Sequence, residues 1–326
     1  MSQPTFRAPA NWRVIAAFAA VYIIWGSTYL AIRFAIETMP PFLMAGVRFT
    51  LAGALLYGWS RWRGVAAPKR VHWRSTLIIG GLLLMAGNGG VTWAEQHIPS
   101  SLASLLVAIV PLWVVLLDWV RPGGSRPNGL VLTGVLMGLA GMFLLVGPSG
   151  ESGEALNPLG VISILIATSC WAIGSLYSRN AQLPDAPLLT TGMEMLCGGV
   201  LLLLVGTVSG EWPRVNVSAI SLQSLLALVY LIVFGAMIAY TAYVYLLKHT
   251  TAARASTYAY VNPVVAVFLG WAFANEALTE RTLIAAAIII ASVFVINTFR
   301  ATEAPALLEP DVTTDGEPTE AAYSQP

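Results

Sequence analysis

Charge is what this sequence has least of. Asp, Glu, Lys and Arg together make up 10% of its 326 residues, against 57% hydrophobic residues; soluble domains carry about a quarter charged residues. So large an apolar fraction, spread so evenly, excludes a soluble domain around one core. Cysteine is equally scarce: Cys170 and Cys197 both fall in apolar runs, which excludes a disulfide framework or a metal-ligand spacing and leaves them as small packing residues. Phosphate-binding glycine loops, paired ATP motifs and nucleic-acid modules are also missing, so ATP-driven transport and nucleic-acid partners are not expected. There is no Ser/His/Asp cluster, the three His stand at span ends, and neither an Arg-rich periodic helix nor a filter-like loop is present, as voltage sensing or ion selection would need.

What is present is a series of apolar runs of about 18–22 residues, each long enough to cross roughly 30 Å of hydrocarbon. They predict an all-α membrane protein with spans at Arg13–Ala31, Phe42–Ser60, Ser75–Trp93, Ser101–Trp119, Asn128–Gly147, Pro158–Ser178, Leu188–Val208, Leu222–Leu247, Ala255–Phe273 and Thr282–Phe299. The first run, with Trp25 and Tyr29 inside it, does not fit a cleaved signal peptide. Residues 301–326 hold six acids and no Lys or Arg among Pro and Thr, and read as a disordered acidic tail.

Basic residues alternate from loop to loop. Arg7 and Arg13, Arg61 to Arg74, Arg121 and Arg126, Arg179, Lys248, Arg254 and Arg300 share one side; Glu37, Glu95, Glu151, Glu154, Glu211 and Glu276 share the other. Because cytoplasmic loops retain Lys and Arg, both termini (the first being residues 1–12) are expected in the cytoplasm.

The chain also matches itself. At an offset of 146, Trp25 meets Trp171, Arg33 meets Arg179, Gly46 meets Gly192 and Gly53 meets Gly199. At 152, His97 meets His249, Ser104 meets Ser256, Pro111 meets Pro263 and Trp119 meets Trp271. Residues 13–147 and 158–300 therefore read as two five-helix repeats. A unit of five spans is inserted upside down when repeated, the architecture of many secondary transporters, whose substrate site lies at mid-membrane between the halves.

Three stretches carry a resemblance: Tyr22-Ile-Ile-Trp-Gly-Ser-Thr-Tyr29; Ala94-Glu95-Gln96-His97 leading to Val110-Pro111; and Thr257-Tyr-Ala-Tyr-Val-Asn-Pro-Val-Val-Ala-Val-Phe-Leu-Gly270 with Asn275-Glu276-Ala277-Leu278. Over residues 13–300 the chain resembles the EamA family of the drug/metabolite transporter superfamily, in its ten-helix bacterial form. The resemblance implies an inverted five-plus-five repeat in the inner membrane and export of amino acids, other metabolites or toxic compounds, without naming the solute.

Candidate transport residues follow from helical spacing. Trp25 and Tyr29, Asn88 and Thr92, Trp171 and Ser175, and Tyr258 and Asn262 are each four apart and share a helix face. Rings with a few amides and hydroxyls suit a small-solute pocket; ordinary interhelical hydrogen bonding is the plainer alternative. Pro111 and Pro263 each remove an N–H and free a carbonyl four residues earlier, at Val107 and Ala259, which suits either a hinge or a static kink.

Arg48 and Glu194 occupy matching repeat positions with opposite charge. About seven residues into their helices, roughly 10 Å of rise, they should lie within about 5 Å of the midplane. Each needs a partner there: each other, a substrate amine or carboxylate, or a proton on Glu194. Glu95, His97 and Glu276 stand at the extracytoplasmic rim, as gates or as ordinary solvated loop ends. Asp118 is expected to pair with Arg121 or Arg126. Gly134-x-x-x-Gly138 with Gly141 permits close helix approach, for packing within the half or for a homodimer. No cofactor is implied; the expected partners are a small solute and lipid. The leading reading is a secondary transporter working by alternating access, with a passive channel and an intramembrane enzyme as the alternatives.

Overall fold

The computed structural model describes residues 11–120, 126–146, 157–178, 180–249 and 258–301. The acidic tail, Arg7, Arg121, Glu151, Glu154, Arg179, Arg254 and Ser256 lie outside these. Among the described residues the chain is helical and without strands. Eight helices are long and apolar enough to cross a membrane: α1 (Trp12–Ala35), α2 (Pro41–Trp62), α3 (Arg70–Ala94), α4 (Ser100–Val120), α6 (Pro158–Ser178), α7 (Pro187–Val208), α8 (Leu222–Tyr243) and α10 (Glu280–Phe299). Two shorter apolar helices stand between them, α5 (Gly129–Leu145) and α9 (Tyr258–Ala274). Large apolar side chains point outward all along the bundle, among them Leu136, Phe143, Leu204, Phe268 and Phe294. A patch of that extent is a lipid-facing surface.

Sequence punctuation sets the helix ends. Proline stands at the first position of α2 and of α7, where its missing N–H has no intrahelical partner to lose. Each of the two helices is followed by a glycine in the left-handed region, Gly64 (φ 81°) and Gly210 (φ 70°). Pro41 and Pro187, like Gly64 and Gly210, are related by the same offset of 146.

Those two helices also pack on one another, backbone to backbone. A Cβ added to Gly53 would lie 2.6 Å from Leu196 N, and one added to Gly199 would lie 2.5 Å from Thr50 N. Likewise Gly46 meets Leu203, and Gly192 meets Tyr57. The contacts are reciprocal: exchanging each residue for its repeat equivalent turns one pair into the other. As the contact advances along α2 it retreats along α7, so the two helices are antiparallel. The Gly134, Gly138 and Gly141 stripe of α5 is used in the same way, against Ile296, Ser292 and Ile289 of α10, and Ser292 Oγ donates to Gly134 O at 2.7 Å. This stripe therefore joins the two sequence halves, while Gly138 also meets Leu112 within the first.

Three helices contain a widened, π-helical stretch: Val21–Trp25 in α1, Gly80–Asn88 in α3 and Leu231–Ile238 in α8. Hydrophobic periodicity does not announce them, although the last two fall in the third helix of each half. The prolines differ from expectation. Pro111 follows a true break, with α-helix over Ser100–Val107 and again from Val110, and tight bonds from Ile109 N to Leu106 O (3.3 Å) and from Leu112 N to Ile109 O (2.8 Å). Pro263 sits inside an uninterrupted helix. The two repeat-related prolines are thus not structurally equivalent.

The acid-bearing loops gather at one end of the bundle and cross-brace it. Glu211, after α7, accepts from Phe42 N (3.3 Å) and Leu43 N (2.9 Å) at the start of α2. Ser221 N donates to Thr38 Oγ1, and Ser224 Oγ donates to Phe34 O at 2.7 Å.

Candidate functional site

The interior is organised around the indole of Trp25. Its ring centroid lies 5.1 Å from that of Tyr258 (α9), 5.2 Å from Tyr243 and 6.3 Å from Tyr240 (α8), at tilted or edge-on angles. Such edge-to-face packing is favoured by the ring quadrupoles. The indole N–H donates to Gly235 O at 3.1 Å, an acceptor inside the π-helical stretch of α8. Tyr243 and Tyr258 are hydrogen-bonded to each other. Tyr240 hydrogen-bonds both Thr191 and Glu194 of α7, donating to the carboxylate of Glu194.

Glu194 therefore does not pair with Arg48. The Arg48 guanidinium is almost wholly buried, 4% exposed, and lies 4.6 Å from the Phe49 ring centroid. Its Nε and Nη1 have no hydrogen-bonding partner among the described residues. Its Nη2 passes Gly235 so closely that a Cβ there would stand 3.3 Å away.

Glu95 is the largest departure from the sequence reading. Placed at a rim by its position after α3, it is in fact 0% exposed, and neither carboxylate oxygen has a hydrogen-bonding partner among the described residues. Burial drives its pKa well above the carboxylate range, and Glu276 adds to this while Arg33 and Arg48 oppose it. Arg33 donates to the backbone carbonyl of Glu95 at 2.9 Å, not to its carboxylate. Glu276 does the opposite of Glu95. Its Oε1 accepts from Ser100 N and Ser100 Oγ (both 2.7 Å) and its Oε2 from Ser101 N (2.9 Å), capping the start of α4. Beside it, a cleft of about 190 Å³ is lined by Arg33, Gln96, His97, Ile98, Pro99, Ala274 and Glu276.

The remaining candidates divide. Asn88 and Asn262 each keep a buried Oδ1 without a partner, and Asn262 is 7% exposed. Tyr29 lies near Glu95 and Tyr258. Thr92 and Ser175, by contrast, close onto their own helices, at Asn88 O (2.8 Å) and Trp171 O (2.7 Å). Trp171 packs on Gly87 across the α3–α6 contact and not with Trp25. Asp118 is buried; of its two expected partners, Arg121 lies outside the described residues. Tyr240, Tyr243 and Arg33 were missed. The signal for the tyrosines was Tyr240-x-x-Tyr243, two hydroxyls three residues apart on one face of an apolar helix. Among the described residues no group of three or more His, Cys, Asp or Glu could hold a metal.

A bundle with apolar flanks and unpaired polar groups inside is matched by the sequence profile of the EamA-like transporter family over residues 12–147 and 158–298. The chain belongs to this family. The uncharacterized inner membrane transporter YedA of Escherichia coli (strain K12) is 41% identical over 286 residues, covering 87% of this chain and 90% of that one. A chloroplastic WAT1-related protein of Arabidopsis thaliana is 26% identical, covering 88% and 69%. The uncharacterized transporter YoaV of Bacillus subtilis (strain 168) is 23% identical, covering 88% and 97%. A solved crystal structure shares the fold, with a TM-score of 0.61 at 23% identity over 88% of this chain and 98% of that one. The matched segments of this EamA-like protein coincide with the two halves read from its internal offsets.

Proposed function

We propose that this protein is a secondary transporter of the inner membrane that exports amino acids or related small metabolites and drugs by alternating access. The observation that carries the reading is four residues with buried side-chain atoms that have no hydrogen-bonding partner among the described residues: Arg48 Nε and Nη1, Asn88 Oδ1, both Glu95 oxygens and Asn262 Oδ1; Thr50 Oγ1 and Asn297 Nδ2 share the property. Membrane interiors retain such groups where a solute or its pathway satisfies them.

The proposed architecture is ten spans as two inverted five-helix repeats, with α5 and α9 counted as short spans. It is supported by the reciprocal, antiparallel contacts of α2 with α7 and by the shared Pro and Gly punctuation of those helices. Both termini are placed in the cytoplasm, so the braced acidic end faces outward. That bracing favours a closed, gated state over a permanently open pore. The driving force is a gradient: of protons, of an exchanged solute or, in facilitated diffusion, of the transported solute itself.

The test is purified protein in liposomes, assayed for counterflow over a panel of amino acids, other metabolites and drugs. Saturable, trans-stimulated flux is expected, and its absence for every solute overturns the carrier reading. A reporter fused at Gly150 should be extracytoplasmic and one at Arg179 cytoplasmic; the reverse overturns the orientation.

A further inference from the structure

Two of the three guanidinium nitrogens of Arg48, Nε and Nη1, have no hydrogen-bonding partner among the described residues. Its guanidinium carries five N–H donors, has no acceptor and does not lose its charge in a protein. One face lies on the Phe49 ring, so acceptors can approach only in the guanidinium plane. Glu194, the acid that the repeat sets opposite, is engaged by Tyr240. Glu95 acts on Arg48 through space but forms no ion pair or hydrogen bond with it, and both carboxylate oxygens remain without donors. The buried guanidinium and the buried carboxyl thus lie in each other's field without a hydrogen bond between them.

Gly235 lets the guanidinium pass close to the α8 backbone, since a Cβ there would stand 3.3 Å from Nη2, and the same residue's carbonyl holds the Trp25 indole. The Trp25–Tyr240–Tyr243–Tyr258 cluster therefore begins beside the guanidinium, which sets ring surface next to a fixed positive charge.

Resting on the carrier reading, we propose that Arg48 is the specificity-determining anchor for an anionic group, of the carboxylate class, on the transported solute, and that Glu95 is its counter-charge between solutes. A planar acceptor is what a guanidinium in a dry site binds best, and lysine would reproduce the charge but not the fork geometry. The aromatic cluster then receives the body of the solute. Glu95 tunes the anchor. The charged and titratable groups facing it are Arg33 and Tyr29 from α1, Arg48 from α2 and Glu276 from the loop before α10. Ionised, Glu95 offsets Arg48 and competes with the solute anion; protonated, it leaves the guanidinium uncompensated. Affinity for a permanently charged anion accordingly rises as pH falls.

The experiment uses full-length protein in lipid nanodiscs and probes whose charge does not titrate. These are a series of sulfonates from methanesulfonate to 2-phenylethanesulfonate, with trimethyl(2-phenylethyl)ammonium and 2-phenylethanol sharing the largest one's ring. Calorimetric binding is expected for at least one sulfonate and to be weaker for the cation and the alcohol. Arg48→Gln should lower sulfonate affinity at least tenfold, with Arg48→Lys in between. Because removal of Arg48 could unfold the bundle, Glu95→Gln supplies an independent arm: it keeps the anchor, so sulfonates should bind more tightly at neutral pH and with a flattened pH profile.

No saturable binding of any sulfonate, stronger binding of the cation, or unchanged sulfonate affinity in a folded Arg48→Gln protein overturns the anchor. Weaker or equally pH-dependent binding in Glu95→Gln overturns the role of Glu95. Failure of the carrier reading is seen separately, as anion binding without counterflow of any solute. Counterflow restricted to uncharged or cationic solutes, and unaltered in Arg48→Gln, preserves the carrier and removes the anchor.

Discussion

Two carboxylates from the same rim-facing loops meet opposite fates. Glu276 is saturated by three hydrogen bonds from Ser100 and Ser101. Glu95, five residues before Ser100, is more deeply buried and has none. The difference is one of available donors. The start of a helix presents N–H groups that no carbonyl of that helix can satisfy, and a carboxylate there is structural, as Glu211 is at α2. The interior of the bundle offers Glu95 no such group. Of these loop carboxylates, those that take donors from a helix start are scaffold, and Glu95, without donors among the described residues, is the one proposed above to act on the solute.

Substitutions can break that contrast. The largest effects should fall on transport, at groups in the interior. Glu194→Gln, which keeps a partner for Tyr240 but removes the charge, is expected to reduce counterflow at least tenfold while the protein still elutes as a folded species; full activity would assign Glu194 to the scaffold. Next is Glu276→Ala. Losing the α4 cap should lower stability by about 2 kcal/mol, within the range for charge-assisted bonds to a helix start, read as a fall in Tm in detergent. Glu211→Ala should lose less, having two bonds in place of three. If Glu95→Ala destabilised as much as Glu276→Ala, the contrast would fail.

Gly53→Ala and Gly199→Ala sharpen a second comparison, between the halves. Each adds a Cβ against partner backbone, at 2.6 Å and 2.5 Å. Each should cost about 1–3 kcal/mol, a typical price of overpacking, and by equal amounts if the contacts are reciprocal in energy as well as in geometry. The smallest effect is on pH dependence. The folded pKa of Glu95 is raised, so its contribution to stability is complete at low pH and is lost as pH climbs from the usual carboxylate range through the raised value. Thermal denaturation over that interval should show the Tm of the natural protein declining and that of Glu95→Gln holding level.

Much of the scaffold could be read from residues alone. Apolar runs gave the helices. Gly46, Gly53, Gly192 and Gly199 stood out by their offset before their contacts were known. Arg48 and Glu194 were evident because a charge inside an apolar run needs a partner wherever it points. What could not be read depended on neighbours distant in sequence. Nothing local separates Glu95 from Glu276, since Ser100 N and Ser101 N are brought to one of them only by the docking of the α9–α10 loop. Pro111 and Pro263 look equivalent, yet only the first follows a helix break. The π-helical stretches leave no periodic trace, so the approach of Gly235 to Trp25 and Arg48 was hidden, and Tyr240 and Tyr243 with it.

The α2–α7 crossing has a mechanical consequence. Where long side chains interlock, turning one helix against the other must unlock rotamers tooth by tooth, and each tooth is a barrier. Here glycines bring bare backbone against backbone at four points, two from each helix, arranged so that each helix sees what the other sees. A joint of that kind has little to unlatch. In the alternating access proposed above it would serve as a pivot with balanced arms, turning a small change of angle at its centre into a larger displacement at the two ends of the bundle, in opposite directions.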